Sequence, residues 1–146
     1  MNISNIRSAA KFRQTVLVID DQSTVLDIHV AILKSLHMNL KIVTMTDPIE
    51  ALKWIVNKQV DLIITDFSMH NMNGIEFVQT IKNSCGDKSM SIIVVTVLNN
   101  KKIHEELLLA GVSACLHKPV QTKELANISK FLLEKSDCYY SQSSLR

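Results

Sequence analysis

Five side chains able to do acid, metal or phosphoryl chemistry fall at the ends of apolar runs. Asp20 and Asp21 follow "TVLVI", Asp66 closes "VDLIITD", Thr96 lies near the end of "SIIVVTV", and Lys118 ends "SACLHK". One carboxylate in such a place is commonly a turn-former. Three carboxylates, a hydroxyl and an ammonium, brought to one rim, form a different set. Two carboxylates about 4 Å apart repel by roughly 4 kcal/mol at an effective dielectric near 20. Three need compensation: Lys118 supplies one positive charge, and a hard divalent cation with oxygen ligands supplies the rest. Mg²⁺ suits this, since it binds through one or two carboxylates and keeps positions for water and phosphate oxygens. These residue types fit the delivery of a phosphoryl group to a carboxylate.

The runs that must position them read as five strands, at 15–20, 40–45, 60–66, 91–97 and 113–118. The first, third and fourth are nearly continuous in Val, Ile and Leu, the pattern of parallel strands covered on both faces. Segments of helical period lie between them. Val25, Ile28, Ile32 and Leu36 share one face over 23–36. Asp47, Pro48 and Glu50 give a start signal of cap, first-turn proline and acid three residues on. Gly74 opens a third helix, Gly111 ends a fourth as a left-handed cap, and Leu125, Ile128 and Leu132 mark a fifth. Five alternations of strand and helix imply a doubly wound α/β sandwich. Ligands of such a sheet bind beyond the carboxyl ends of its strands, where all five residues fall.

Composition narrows the function classes. With 146 residues and 47% hydrophobic content the chain suits one domain over 15–135, with a flexible flank at 1–14 and a polar tail at 136–146. A net charge of +2 without a basic run argues against direct nucleic-acid binding. No apolar stretch is long enough for a membrane span, and the N-terminus lacks the apolar core of a secretory signal. Three cysteines with no CxxC pair read as reduced thiols of a cytoplasmic protein. Glycines only at 74, 86 and 111 rule out a P-loop and a GxGxxG. The five histidines show no metal spacing and read as satisfied or solvent-facing.

The set Asp20-Asp21, "DFSMHNMNG" from Asp66, Thr96 and the "KP" at 118–119 resembles the receiver domain of two-component response regulators. The likeness covers about residues 15–135, and all its motifs stand in order. It implies a flavodoxin-like, five-stranded parallel sheet of order 2-1-3-4-5 with five helices. It also implies that Asp66 accepts a phosphoryl group from a sensor histidine kinase or a histidine phosphotransfer protein. Mg²⁺ would be held by Asp21, Asp66 and the backbone carbonyl of Ser68, with Asp20 acting largely through metal-bound water. Lys118 would pair with one phosphoryl oxygen and the Thr96 hydroxyl would move to another. The 118–119 bond, before Pro119, is cis in typical receivers. A downstream partner would dock on the face of the fourth helix, fifth strand and fifth helix, where a homodimer can also form. Phe131 and Leu133 flank the core stripe of the fifth helix and suggest an apolar contact there. The stretch from Val95 to Pro119 further resembles receivers that precede HD-GYP phosphodiesterase domains.

Three positions depart from that pattern. Cys115 stands at the switch position where receivers carry Tyr or Phe, Val97 stands where a small residue is commoner, and His70 replaces a proline. None removes a catalytic group. They leave room for a constitutive adaptor whose binding ignores phosphorylation, or for the receiver portion of a larger regulator. An aspartyl-nucleophile phosphatase is disfavoured by Ser68, where the DxD arrangement needs a second aspartate.

Overall fold

The computed structural model describes residues 13–86 and 89–143. Five strands form one parallel sheet: β1 (Gln14–Ile19), β2 (Leu40–Met45), β3 (Leu62–Asp66), β6 (Ser91–Thr96) and β7 (Ala114–His117). Their order is β2-β1-β3-β6-β7, which is 2-1-3-4-5 when only these strands are counted. Two further strands of two residues, β4 (Ser68–Met69) and β5 (Met72–Asn73), make an antiparallel hairpin directly after Asp66. The helices are α1 (Ser23–Lys34), α2 (Pro48–Ile55), α3 (Gly74–Cys85), α4 (Lys101–Leu109) and α5 (Thr122–Ser143).

Alternation along each strand assigns every residue to one of two layers. Leu17, Ile19, Ile63, Ile92 and Val94 face α2, α3 and α4, which bring Ala51, Ile55, Phe77, Val78, Ile81 and Leu107. Val16, Val18, Leu62, Ile64, Ile93, Val95 and Leu116 face α1 and α5, which bring Leu26, Ile32, Leu33, Leu125, Leu132 and Leu133. Both faces are thus dry, which explains strands without a polar side.

Helix ends follow local chemistry. The Asp47 carboxylate accepts from the Ile49 N–H at 2.9 Å with Pro48 in the first turn, as the sequence signals. Asn73 and Asn100 do the same for α3 and α4, accepting from Glu76 and Lys102. Gly111 adopts φ +101 behind α4, and the Val112 N–H reaches back to the Leu107 carbonyl at 3.1 Å, the expected left-handed cap.

Several expected boundaries move. β1 begins at Gln14, whose side-chain amide donates to the Leu133 carbonyl at 2.9 Å, so only 1–13 precede the sheet. Of these, residues 1–12 lie outside the described residues, as do 144–146. Asp20, Val97 and Lys118 fall just past strand ends instead of within them. The polar stretch after Lys135 continues α5 through Ser143; it contains neither glycine nor proline to stop the helix. Leu133 is fully buried and belongs to the core, while Phe131 is exposed.

At the edge of the sheet opposite those five residues, a buried aspartate stitches three strands. The Thr15 N–H donates to Asp61 Oδ2 at 2.8 Å, the Asp61 N–H donates to the Thr15 carbonyl, and the Ser91 N–H donates to the Asp61 carbonyl. Only the first bond needs the side chain. Asp61→Ala should therefore cost about 1–3 kcal/mol of stability by orphaning a backbone donor, and Asp61→Asn should recover most of it. Urea denaturation measures both; an unchanged midpoint for the alanine variant would show that the carboxylate is dispensable.

Candidate phosphoryl-transfer site

Register builds the site. Ile19 of β1 is level with Thr65 of β3, so the following residues, Asp20 and Asp66, emerge side by side. Asp66 is level with Val95 of β6, and Thr96 is level with His117 of β7, so Thr96 and Lys118 complete the rim. Four neighbouring strands each contribute one group because parallel strands end on the same edge. The Lys118 N–H donates to the Thr96 carbonyl at 2.8 Å and locks β7 to β6 at this point.

The Lys118 ammonium lies 3.1 Å from Asp66 Oδ1 and 3.7 Å from Asp20 Oδ2. Asp20 is 1% exposed and Asp66 9%, so the pairs sit in a low-dielectric setting where attraction is strong. Asp20 Oδ1 also accepts from the Gln22 N–H at 2.9 Å, just ahead of α1. It therefore braces the helix entry as well as the rim. Burial nevertheless raises its carboxyl above the ordinary value, against the lowering pull of that N–H and of Lys118. Carboxylate oxygens of Asp20, Asp21 and Asp66 all lie within 4.8 Å of one another, and Asp21 is exposed. Three carboxylates against one ammonium leave an excess of two negative charges. An all-oxygen, partly open cluster of this kind fits a hard divalent cation, Mg²⁺ among them.

The loop after Asp66 is held tightly. The Phe67 N–H donates to the Val95 carbonyl and the Gly74 N–H to the Phe67 carbonyl at 2.7 Å. A Cβ on Gly74 would come within 2.8 Å of the Phe67 ring, so only glycine permits this closure. Ser68, exposed, opens the hairpin, and His70 and Asn71 form its tip with Asn71 at φ +69. Hairpin pairing gives this loop an order that the missing proline at 70 does not supply.

On the other side of the rim, Thr96 is buried and its hydroxyl accepts from the Leu98 N–H at 3.0 Å. Val97 is 62% exposed. Cys115 is half-buried in β7 and packs against the layer of α2, α3 and α4, where burial pushes its thiol up. The Lys118–Pro119 peptide is cis.

His29 departs from expectation. It is buried on α1, its Nδ1 has no hydrogen-bond partner, and burial together with the Lys118 charge lowers its pKa, partly opposed by Asp66. Its apolar neighbours on α1 gave no hint of it, because a histidine at a core position looks like any surface histidine in the sequence. The caps Asn73 and Asn100 were also missed, although Asn ahead of an apolar-periodic run is a recognised start signal.

Comparison with known proteins agrees with this geometry. A family model described as the response regulator receiver domain matches residues 16–130. The cyclic di-GMP phosphodiesterase response regulator RpfG of Xanthomonas campestris is 29% identical over 110 residues, 75% of this chain and 29% of the relative. A CheY-like receiver domain protein from Methanospirillum hungatei superposes with a TM-score of 0.74 at 26% identity, covering 88% of this chain and 99% of that one. The signal receiver domain of an HD domain-containing protein from Pseudomonas fluorescens gives 0.76 at 22% identity, over 88% and 93%. The chain spans 19–46% of the length of the first curated relatives that it matches. With the family model lying over all five strands of the sheet but the first two residues of β1, and over its acidic rim, the chain belongs to the response regulator receiver domain family of two-component systems.

Proposed function

We propose that this chain is a phosphorylation-controlled receiver in which Asp66 takes a phosphoryl group from a phosphohistidine on a sensor kinase or phosphotransfer protein. The observation that carries the reading is the Lys118 ammonium 3.1 Å from Asp66 Oδ1, inside a cluster of three carboxylates. With Oδ1 directed at Lys118, Oδ2 is the oxygen left to attack; no protein group among the described residues hydrogen-bonds it. The new Oδ2–P bond forms as the P–N bond breaks, and the electron pair leaves with the donor imidazole nitrogen. Lys118 then holds a phosphoryl oxygen and the Thr96 hydroxyl donates to another, so the chain acts mainly by positioning and charge neutralisation. Asp20, Asp21, Asp66 and the Ser68 carbonyl would hold Mg²⁺, which supplies charge neutralisation for the carboxylates and the incoming group. The chain is no enzyme on an external substrate beyond this transfer and the hydrolysis of its own phosphate.

The added charge, about −1.5 to −2 at neutral pH, biases a two-state surface that a partner reads. The face of α4, β7 and α5 suits such docking, including a second copy of the chain; α4 exposes Leu108 and Leu109, and α5 exposes Phe131. Among the described residues no helix is long and apolar enough to cross a membrane, in keeping with a cytoplasmic setting. Cys115 favours a second reading, an adaptor indifferent to phosphorylation, because its small side chain cannot swing as an aromatic ring does.

Intact mass after incubation with acetyl phosphate tests the assignment. A Mg²⁺-dependent gain of one phosphoryl group is expected, and none on Asp66→Asn; a gain retained by that variant would overturn it. Lys118→Ala should slow the gain about a hundredfold while the protein stays folded by circular dichroism. Asp21→Asn should weaken Mg²⁺ binding at least about tenfold by calorimetry, since even outer-shell partners of ligands are worth that much. Failure of wild type to take acetyl phosphate or beryllofluoride would move the adaptor reading to the front.

A further inference from the structure

A hydrogen-bonded path leads from the rim to α4. Leu98 is held through both of its backbone groups: its N–H, in the 97–98 peptide, donates to Thr96 Oγ1 at 3.0 Å, and its carbonyl, in the 98–99 peptide, lies 3.1 Å from His104 Nε2. A carbonyl oxygen can only accept, so Nε2 carries the ring proton. His104 is half-buried in the first turns of α4, where its own N–H donates to the Asn100 carbonyl and Asn100 caps the helix. Leu98 packs on the core layer that includes Leu107 and Ile103 of α4, whereas Val97 beside it is exposed. The loop between Thr96 and α4 is thus pinned at Leu98, by the rim on one side and the helix on the other.

We propose that His104 is a positioning residue of this receiver. Its Nε2–H, through the backbone of Leu98, couples the rotamer of Thr96 to the placement of α4. The inference rests on the reading of Asp66 as phosphoacceptor. A threonine hydroxyl occupies one of a few staggered wells, and the present well places Oγ1 on the Leu98 N–H. When Thr96 turns toward a phosphoryl oxygen, the Leu98 N–H loses its acceptor, and the released 97–98 peptide can rotate and displace Leu98. The Leu98 carbonyl, in the next peptide, is the anchor of His104, so a displacement of Leu98 reaches α4. This route needs no side chain at position 115. It gives the half-buried Cys115, otherwise a break in signalling, no part in carrying the signal.

The test is NMR of the full chain with Mg²⁺ and beryllofluoride, a stable phosphoryl mimic. In wild type, beryllofluoride should shift the amide signals of Lys101–Leu109 and the ring nitrogen signals of His104, which start in the Nε2–H tautomer. His104→Leu should bind beryllofluoride undiminished but lose the α4 shifts, and His104→Gln, whose amide can still donate, should regain them. Thr96→Ala bound to beryllofluoride should leave the His104 ring signals unmoved, a readout that a merely structural histidine would not alter. Retained α4 shifts in His104→Leu, or His104 ring signals in wild type indifferent to beryllofluoride, would overturn the relay alone. If His104→Leu does not fold, the wild-type and Thr96→Ala ring signals decide. Absence of beryllofluoride binding in wild type would overturn the phosphoacceptor reading, and the relay with it.

Discussion

Like charge held together against its own repulsion is the constraint around which this molecule is arranged. Asp20, Asp21 and Asp66 bring carboxylate oxygens within 4.8 Å, with a single ammonium, Lys118, set against them. Such a cluster holds only where backbone geometry leaves its members no alternative. The sheet provides that geometry: β3 is flanked on both sides, so Asp66 cannot retreat, and the register of β1 fixes Asp20 beside it. The Gln22 N–H then ties Asp20 to the start of α1, so the repulsion is borne by a helix terminus as well as by a strand.

The two edges of the sheet divide the labour. Asp61, at one, spends its carboxylate on the backbone of Thr15 and is a structural acid. Asp20 and Asp66, at the other, belong to a cluster with a net excess of negative charge that favours a cation. The same residue type therefore has two unrelated uses within one strand length. All three are buried, and Asp61 and Asp20 each accept from a backbone N–H; what distinguishes the rim is that its acids face one another and Lys118.

The sequence conveyed the sheet well because both faces are covered: runs such as Leu62 to Ile64 and Ile92 to Val95 have no polar alternation to misread. It conveyed the rim well because Asp66, Thr96 and Lys118 close or follow such runs. What it hid was short or non-periodic. The two-residue strands β4 and β5 carry no period at all, and the hairpin follows from chain closure onto Phe67 through Gly74. Leu133 looked like an outward residue beside the stripe of α5, yet the helix meets both α1 and the sheet, so its buried arc is wider than one stripe. The burial of His29 and the Leu98 bridge to His104 depend on contacts between segments remote in sequence, and local pattern carries no record of those.

The site also has an order of assembly. Asp20 follows the first strand of the sheet and Lys118 follows the last. A chain emerging from the ribosome N-terminus first therefore possesses all three acids well before Lys118. Docking of β7 against β6, sealed by the Lys118 N–H on the Thr96 carbonyl, delivers the counter-charge at the same moment that it completes the sheet. Charge balance at the rim is thereby tied to finished folding: a truncated or partly folded chain can carry Asp66 but lacks the counter-charge that the complete sheet sets beside it.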